Sequence, residues 1–294
     1  MWAKCVRSNL VWLLFFLLLP HAAVCNNADY RLAPEEREWV GQQIFLNETS
    51  GKREKLTFWS EAEEFPSFGV GHFIWIPEKV EVPFESTFVQ MVAYVSLSHP
   101  VQEWVRSASP PWKTRAEFEA DFHSPRMQYL RDWLDQTRGS QTEFIVHRFY
   151  GRIRHAIESV PEEAKEDMRS CLDQLMQSQY GQFALIDYVN FKGFGDNQRE
   201  RYQGVGWGVM QVLEAMQTWL KETDPDVSQD ATKCSVRRFG LAAEAVLQRR
   251  IALSPVERNE IRWMPGWRKR VYRYFQLIPG ASENVVPIQK EQNR

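Results

Sequence analysis

Residues 44–75 read IFLNETSGKREKLTFWSEAEEFPSFGVGHFIW, and the fold turns on how that stretch divides. Its first part ends a helix. Ser50-Gly51 is a stop signal, and a helix is predicted over 34–48. Pro34 suits the first helical position, and Glu35, Glu36 and Glu38 complement the positive end of the helix dipole. Trp39, Val40, Ile44 and Phe45 give that helix one apolar stripe. The second part changes character. Across 55–76, short apolar runs are broken by acidic residues, Pro66, Gly69 and Gly71, the pattern of a two- or three-stranded β-hairpin region.

Outward from this stretch the helical period returns after Pro83. Helices are predicted at 86–97, 100–106, 115–121, 125–137, 140–158 and 162–178. Further segments follow at 181–190, 207–222, 234–252, 255–260 and 266–275, with loops at Pro110-Pro111 and 223–230. No repeat or low-complexity segment interrupts them. The expected fold is therefore α+β and mainly α-helical, one small β-hairpin region set among many helices.

Composition agrees with a globular chain: 294 residues, 44% apolar and 25% charged, which excludes disorder, collagen and coiled coil. The formal charge of −2 gives no argument for a nucleic-acid partner. Charge is uneven, however. Residues 34–85 hold 11 acidic and 5 basic residues, and residues 231–275 hold 3 acidic and 11 basic. Two faces that attract each other within the fold account for this better than a basic wall for an anionic polymer. The 12 Trp and 18 Phe point first to a thick core and second to a cleft that stacks sugar rings.

The amino terminus, MWAKCVRSNLVWLLFFLLLPHAAVC, has Lys4 and Arg7 before ten unbroken apolar residues, Leu10 to Leu19. That is a signal-peptide pattern over 1–25, too short for a comfortable membrane span of about 20 residues. An exported protein, periplasmic or secreted, with no stable membrane span after leader cleavage is expected. Cleavage after Cys25 would leave Cys171 and Cys234, an even pair in an oxidising compartment, and a disulfide between them is expected. No Cys/His cluster has metal-ligand spacing, so neither metal nor cofactor is implied.

The chemistry points back to 44–75. Glycosidic hydrolysis needs a carboxylic acid to protonate the leaving oxygen, and commonly a second carboxylate across the scissile bond. Glu48, at the negative end of its helix with aromatic neighbours, stands where surroundings favour a protonated acid. The hairpin behind it supplies Glu61, Glu63, Glu64, Ser67 and Gly69-Val70-Gly71-His72. A second stretch offers cleft candidates: Asn190 and Lys192 in YVNFKGFG, then Trp207 and Gln211 in YQGVGWGVMQVL. Its glycines suit close backbone packing as well as ligand approach, and no strand precedes them as a dinucleotide fingerprint would require.

The conjunction of a helix-terminal Glu, a spaced acid, a hydroxyl residue and Gly-x-Gly-His resembles the lysozyme-like superfamily, most closely phage-type lysozymes. The resemblance covers about 45 of the 294 residues. It implies a lysozyme-like core within a single domain over 30–294 that carries a C-terminal helical extension. It also implies Glu48 as general acid, Glu61 as the second acid and Ser67 as a residue holding water, with His72 a lining residue. Glu61 is longer than the family's Asp, so Glu63 and Glu64 are rivals for its place. The expected activity is hydrolysis of a β-1,4-linked amino-sugar polymer, peptidoglycan first. Chitosanase and lytic transglycosylase chemistry are the alternatives within the superfamily. A non-catalytic glycan-binding or envelope protein is the alternative outside enzymes.

Overall fold

A computed structural model of the chain describes residues 31–82, 84–221 and 231–281. The leader at 1–25, with Cys5 and Cys25, and the loop at 223–230 lie outside the described residues. The first helix, α1 (Pro34–Thr49), begins and ends where its sequence signals stand. The Glu36 carboxylate accepts the Ala33 amide at 2.8 Å, and Ser50 takes the left-handed conformation, φ 57°, that closes the last turn.

Three strands follow, β1 (Thr57–Phe58), β2 (Ser67–Phe68) and β3 (Phe73–Ile74), antiparallel in the order β1-β2-β3. Thr57 lies opposite Phe68, and Phe68 opposite Phe73. Strands of two residues cannot hold themselves, so packing fixes them. Phe68 and Trp75 are fully buried against Phe88, with ring centroids 5.0 and 4.4 Å away. Trp112 and Phe118 close the same cluster. Each such ring stabilises the fold by about 1.5–3 kcal/mol relative to exposure. Most of the tryptophans this places are core, with Trp59, Trp75, Trp112, Trp133 and Trp267 all buried.

The helices continue as α2 (Thr87–Val95), α3 (Arg115–Ala120), α4 (Pro125–Gln136), α5 (Arg138–Glu158) and α6 (Glu162–Met176). After them come α7 (Gln179–Lys192), α8 (Val209–Lys221), α9 (Ala231–Leu253) and α10 (Met264–Gln276). The expected mainly helical α+β architecture is the one observed. Two predicted helices, 100–106 and 255–260, are short 3-10 turns instead. The second is broken by Asn259, which sits at φ 46° and cannot propagate a right-handed helix.

Helix α7 is the axis of the molecule. Phe183, Ala184, Leu185, Ile186 and Tyr188 are all fully buried, as befits a helix that other helices surround. It packs against α1, α5, α6, α8, α9 and α10. This central helix therefore carries its polar residues, Asp187 and Asn190, into places that the other elements surround. The hairpin is fastened separately. The Gln141 side chain of α5 accepts the Val70 amide at 2.9 Å and donates to the Leu134 carbonyl at 2.6 Å.

Cys171 on α6 and Cys234 on α9, the pair expected to form a disulfide, are not joined in this structure. Burial pushes the Cys171 thiol up to about 11, which leaves it little thiolate for disulfide exchange. Among the described residues no helix is long and apolar enough to cross a membrane, and no His, Cys, Asp or Glu cluster could hold a metal.

Candidate functional site

Glu48 occupies the last turn of α1, where the end of that helix meets the hairpin tip, α7 and α10. Its two oxygens are held differently. Oε1 accepts the Arg270 Nη2 at 2.6 Å and the Asn190 Nδ2 at 3.1 Å. Oε2 faces His72 Nδ1 at 3.6 Å. The His72 Nε2 lies 3.0 Å from the Lys55 carbonyl, which can only accept, so the ring proton is assigned to Nε2. Nδ1 then presents a lone pair to Glu48. Burial above all keeps the imidazole lower than an ordinary histidine, against the pull of the Glu48 charge, and so favours the neutral ring.

The backbone at the hairpin tip is shaped for this contact. His72 is itself in the left-handed region, φ 47°. A Cβ on Gly71 would come within 2.9 Å of the Asn190 side-chain oxygen, so only glycine lets Asn190 reach the Gly71 carbonyl, 3.1 Å from its Nδ2. Gly-x-Gly-His and Asn190 are thus parts of one clasp around Glu48.

Behind the clasp lies a buried charge network that sequence reasoning missed. Arg270 Nε and Nη2 donate to the two oxygens of Asp187, each at 2.8 Å. Tyr274 donates its hydroxyl to Asp187 at 2.8 Å, and Asn47 its amide at 3.1 Å. Burial opposes the Arg270 charge, but Asp187 and Glu48 outweigh it and hold the guanidinium well above its ordinary value. Two carboxylates thus share one guanidinium. The only sequence signal was the opposite net charge of 34–85 and 231–275, whose attraction is realised in this contact. Asn47 begins an Asn-x-Thr sequon, yet its amide is committed to Asp187 and its oxygen to Arg273 at 2.6 Å. A glycan on that nitrogen is incompatible with this packing.

The hairpin acids separate by neighbourhood. Glu61 has a side chain 84% exposed, 3.1 Å from Arg115, and joins none of the contacts around Glu48. Glu63 is open to solvent yet walled by protein, and desolvation raises its carboxyl. The charges of Arg258, Lys192 and Arg250 act on it in the opposite sense. Glu64 is exposed and adds only its own charge to Glu63. Ser67 lies in β2, half-buried between Phe58 and Ile74, and takes no part in the Glu48 hydrogen bonds.

Lys192 ends α7 with its ammonium 4.0 Å from the rings of both Phe191 and Trp267. Trp207 is half-buried, its ring centroid 4.7 Å from that of Tyr202 and 4.1 Å from the Arg250 guanidinium. Gln211 is held by backbone groups. Its amide donates to the Gly195 carbonyl at 3.2 Å, and its oxygen accepts the Gly208 amide at 2.9 Å. Gly195 and Gly208 meet backbone to backbone, where a Cβ would collide, so the packing account of these glycines holds there. Glu260, buried and unforeseen, receives Arg250 at 2.7 Å, Arg258 at 3.1 Å and the Tyr202 hydroxyl at 2.7 Å. No family model, curated protein or solved structure matches the chain.

Proposed function

We propose that this chain is an exported glycosidase with a lysozyme-like core, acting on β-1,4-linked amino-sugar polymer, peptidoglycan first, with Glu48 as general acid. The observation that carries the proposal is the unequal treatment of the two Glu48 oxygens. Arg270 and Asn190 fix Oε1, so the carboxyl cannot rotate. Among the described residues Oε2 accepts no hydrogen bond; it faces the lone pair of His72 and is the oxygen that would carry a proton. A general acid needs such an arrangement: a fixed carboxyl with one oxygen able to hold and release a proton.

In this reading the proton on Oε2 passes to the glycosidic oxygen as the bond to the anomeric carbon breaks. Glu63, desolvated and within the field of Lys192, Arg250 and Arg258, takes the place of the second carboxylate that Glu61 was expected to fill. Either it holds the attacking water or it faces the oxocarbenium-like centre, both being roles of the second acid in glycoside hydrolysis. Trp207 supplies a ring for a sugar face. The resemblance of 44–75 to phage-type lysozymes supports the same assignment of Glu48, and the leader pattern at 1–25 supports export.

The test is digestion of purified peptidoglycan, chitin and chitosan, with products read by mass spectrometry for wild type and Glu48→Gln. New reducing ends that vanish in the variant support hydrolysis through Glu48. Anhydro ends, with Glu63→Gln still active, move the chemistry to a transglycosylase that works with one acid. No product from wild type on any polymer overturns the enzyme and leaves a glycan-binding protein.

A further inference from the structure

Cations of α7, α9 and α10 alternate with aromatic rings in one continuous stack. The Arg250 guanidinium lies 4.1 Å from the Trp207 ring and 5.2 Å from that of Trp267. Lys192 Nζ follows, 4.0 Å from Trp267 and 4.0 Å from Phe191, and Arg270 lies 4.3 Å beyond Phe191. The two outer cations are paired. Arg250 meets Glu260 at 2.7 Å, and Arg270 meets Glu48 at 2.6 Å and Asp187 at 2.8 Å. The middle one is not. Among the described residues Lys192 Nζ makes no ion pair or hydrogen bond, only its two ring contacts.

Ring faces compensate only part of the charge of a desolvated ammonium. Burial first, then the flanking Arg250 and Arg270, hold Lys192 well below the usual lysine range, with Glu260 and Glu48 pulling the other way. Glu48 acts on Lys192, and Lys192 in turn acts on Glu63. Lys192 thus sits within the field of both acids of the proposed cleft, and a further negative charge beside it would favour its ammonium form. An anion placed beside it would complete the pairing that its two neighbours already have.

We propose that Lys192 is an anion-binding residue, and that the glycan taken by this cleft carries an anionic substituent, a carboxylate or a sulfate ester, on the sugar beside Glu48. The inference rests on the glycan-cleft reading and narrows its substrate class. Neutral chitin and cationic chitosan become poor ligands.

Binding is measured by calorimetry on the full chain carrying Glu48→Gln, so that no turnover intervenes. The probes are a peptide-free peptidoglycan tetrasaccharide with free lactyl carboxylates, the same sugar converted to methylamides, chitotetraose and its sulfate ester. Charge-assisted hydrogen bonding to one ammonium predicts that methylamidation, or loss of sulfate, weakens binding about tenfold or more. Lys192→Met fills the ring sandwich without charge, and should melt no lower than its parent while bringing that ratio to about one. Lys192→Arg should restore part of it. Discrimination by the sulfate pair alone identifies the ester as the anion, and by the lactyl pair alone the carboxylate. A ratio under about twofold in both pairs, or one unchanged by Lys192→Met, overturns the proposal. If wild type cleaves glycans without discriminating, only this inference fails. If it discriminates without cleaving, only the enzyme fails. No binding of any probe ends both.

Discussion

Replacing Arg270 by Met removes the one guanidinium shared by Glu48 and the fully buried Asp187. The side chain lost is itself only 11% exposed, so the two carboxylates are left with little solvent to replace it. Breaking a buried ion pair by deleting one partner costs about 3–5 kcal/mol. For a chain of this size each kcal/mol moves Tm by roughly 2–4 °C, so Arg270→Met should melt about 6–20 °C lower. Circular dichroism melts and urea titrations read this directly. The cycle with Asp187→Asn isolates the contact. Asparagine keeps the shape and removes one stranded charge, so Arg270→Met on that background should cost at least about 1 kcal/mol less. A loss below about 1 kcal/mol, as for a surface pair, would refute the network. So would simple additivity of the two substitutions.

Four further outcomes follow from the same contacts. The folded His72 imidazole is lowered from 6.5 by burial, so below about pH 6.5 the unfolded chain binds its proton first. Stability contributed by His72 is complete above that pH and is lost as pH falls toward the folded value; His72→Asn, tolerated at φ 47°, should flatten the slope in pH-resolved melts. Gly71→Ala, whose Cβ meets Asn190 and Ile145 within 3.0 Å, should cost about 1–3 kcal/mol in urea unfolding and lower turnover by displacing the Glu48 clasp. Glu63→Gln should reduce reducing-end release by about a hundredfold or more, while Glu61→Gln, beside Arg115 in solvent, should stay within about threefold of wild type. Thiol titration of the native chain should label half-buried Cys234 well before buried Cys171, which should react only on unfolding.

The helices were legible because their signals are local. Pro34, the early glutamates and Ser50-Gly51 mark α1, and Ser124-Pro125 marks α4, where the Ser124 hydroxyl accepts the Met127 amide at 3.1 Å. Glu48, His72 and Asn190 were legible as residue types, and the fold brings all three together. The rest depended on distances along the chain that no local pattern encodes. Arg270 reaches Glu48 from 222 positions away, and Glu260 looked like one charge in a basic tail. Glu61 and Glu63 differ by two positions, and only the fold separates them, leaving one in solvent beside Arg115 and desolvating the other. Gln211 carried the composition of a sugar-binding residue but is consumed by backbone groups, because Gly195 and Gly208 leave polar atoms that need partners.

The central claim is that Glu48 gives a proton to the leaving oxygen, and leaving-group dependence tests it most directly. Wild type and Glu48→Gln would be compared on a native β-1,4 peptidoglycan glycan strand and on the matching dinitrophenyl glycoside, whose leaving group needs no proton. The account predicts a loss of about a hundredfold or more on the native bond and a far smaller one on the dinitrophenyl glycoside. Equal losses on the two substrates, or none on the native bond, would contradict it.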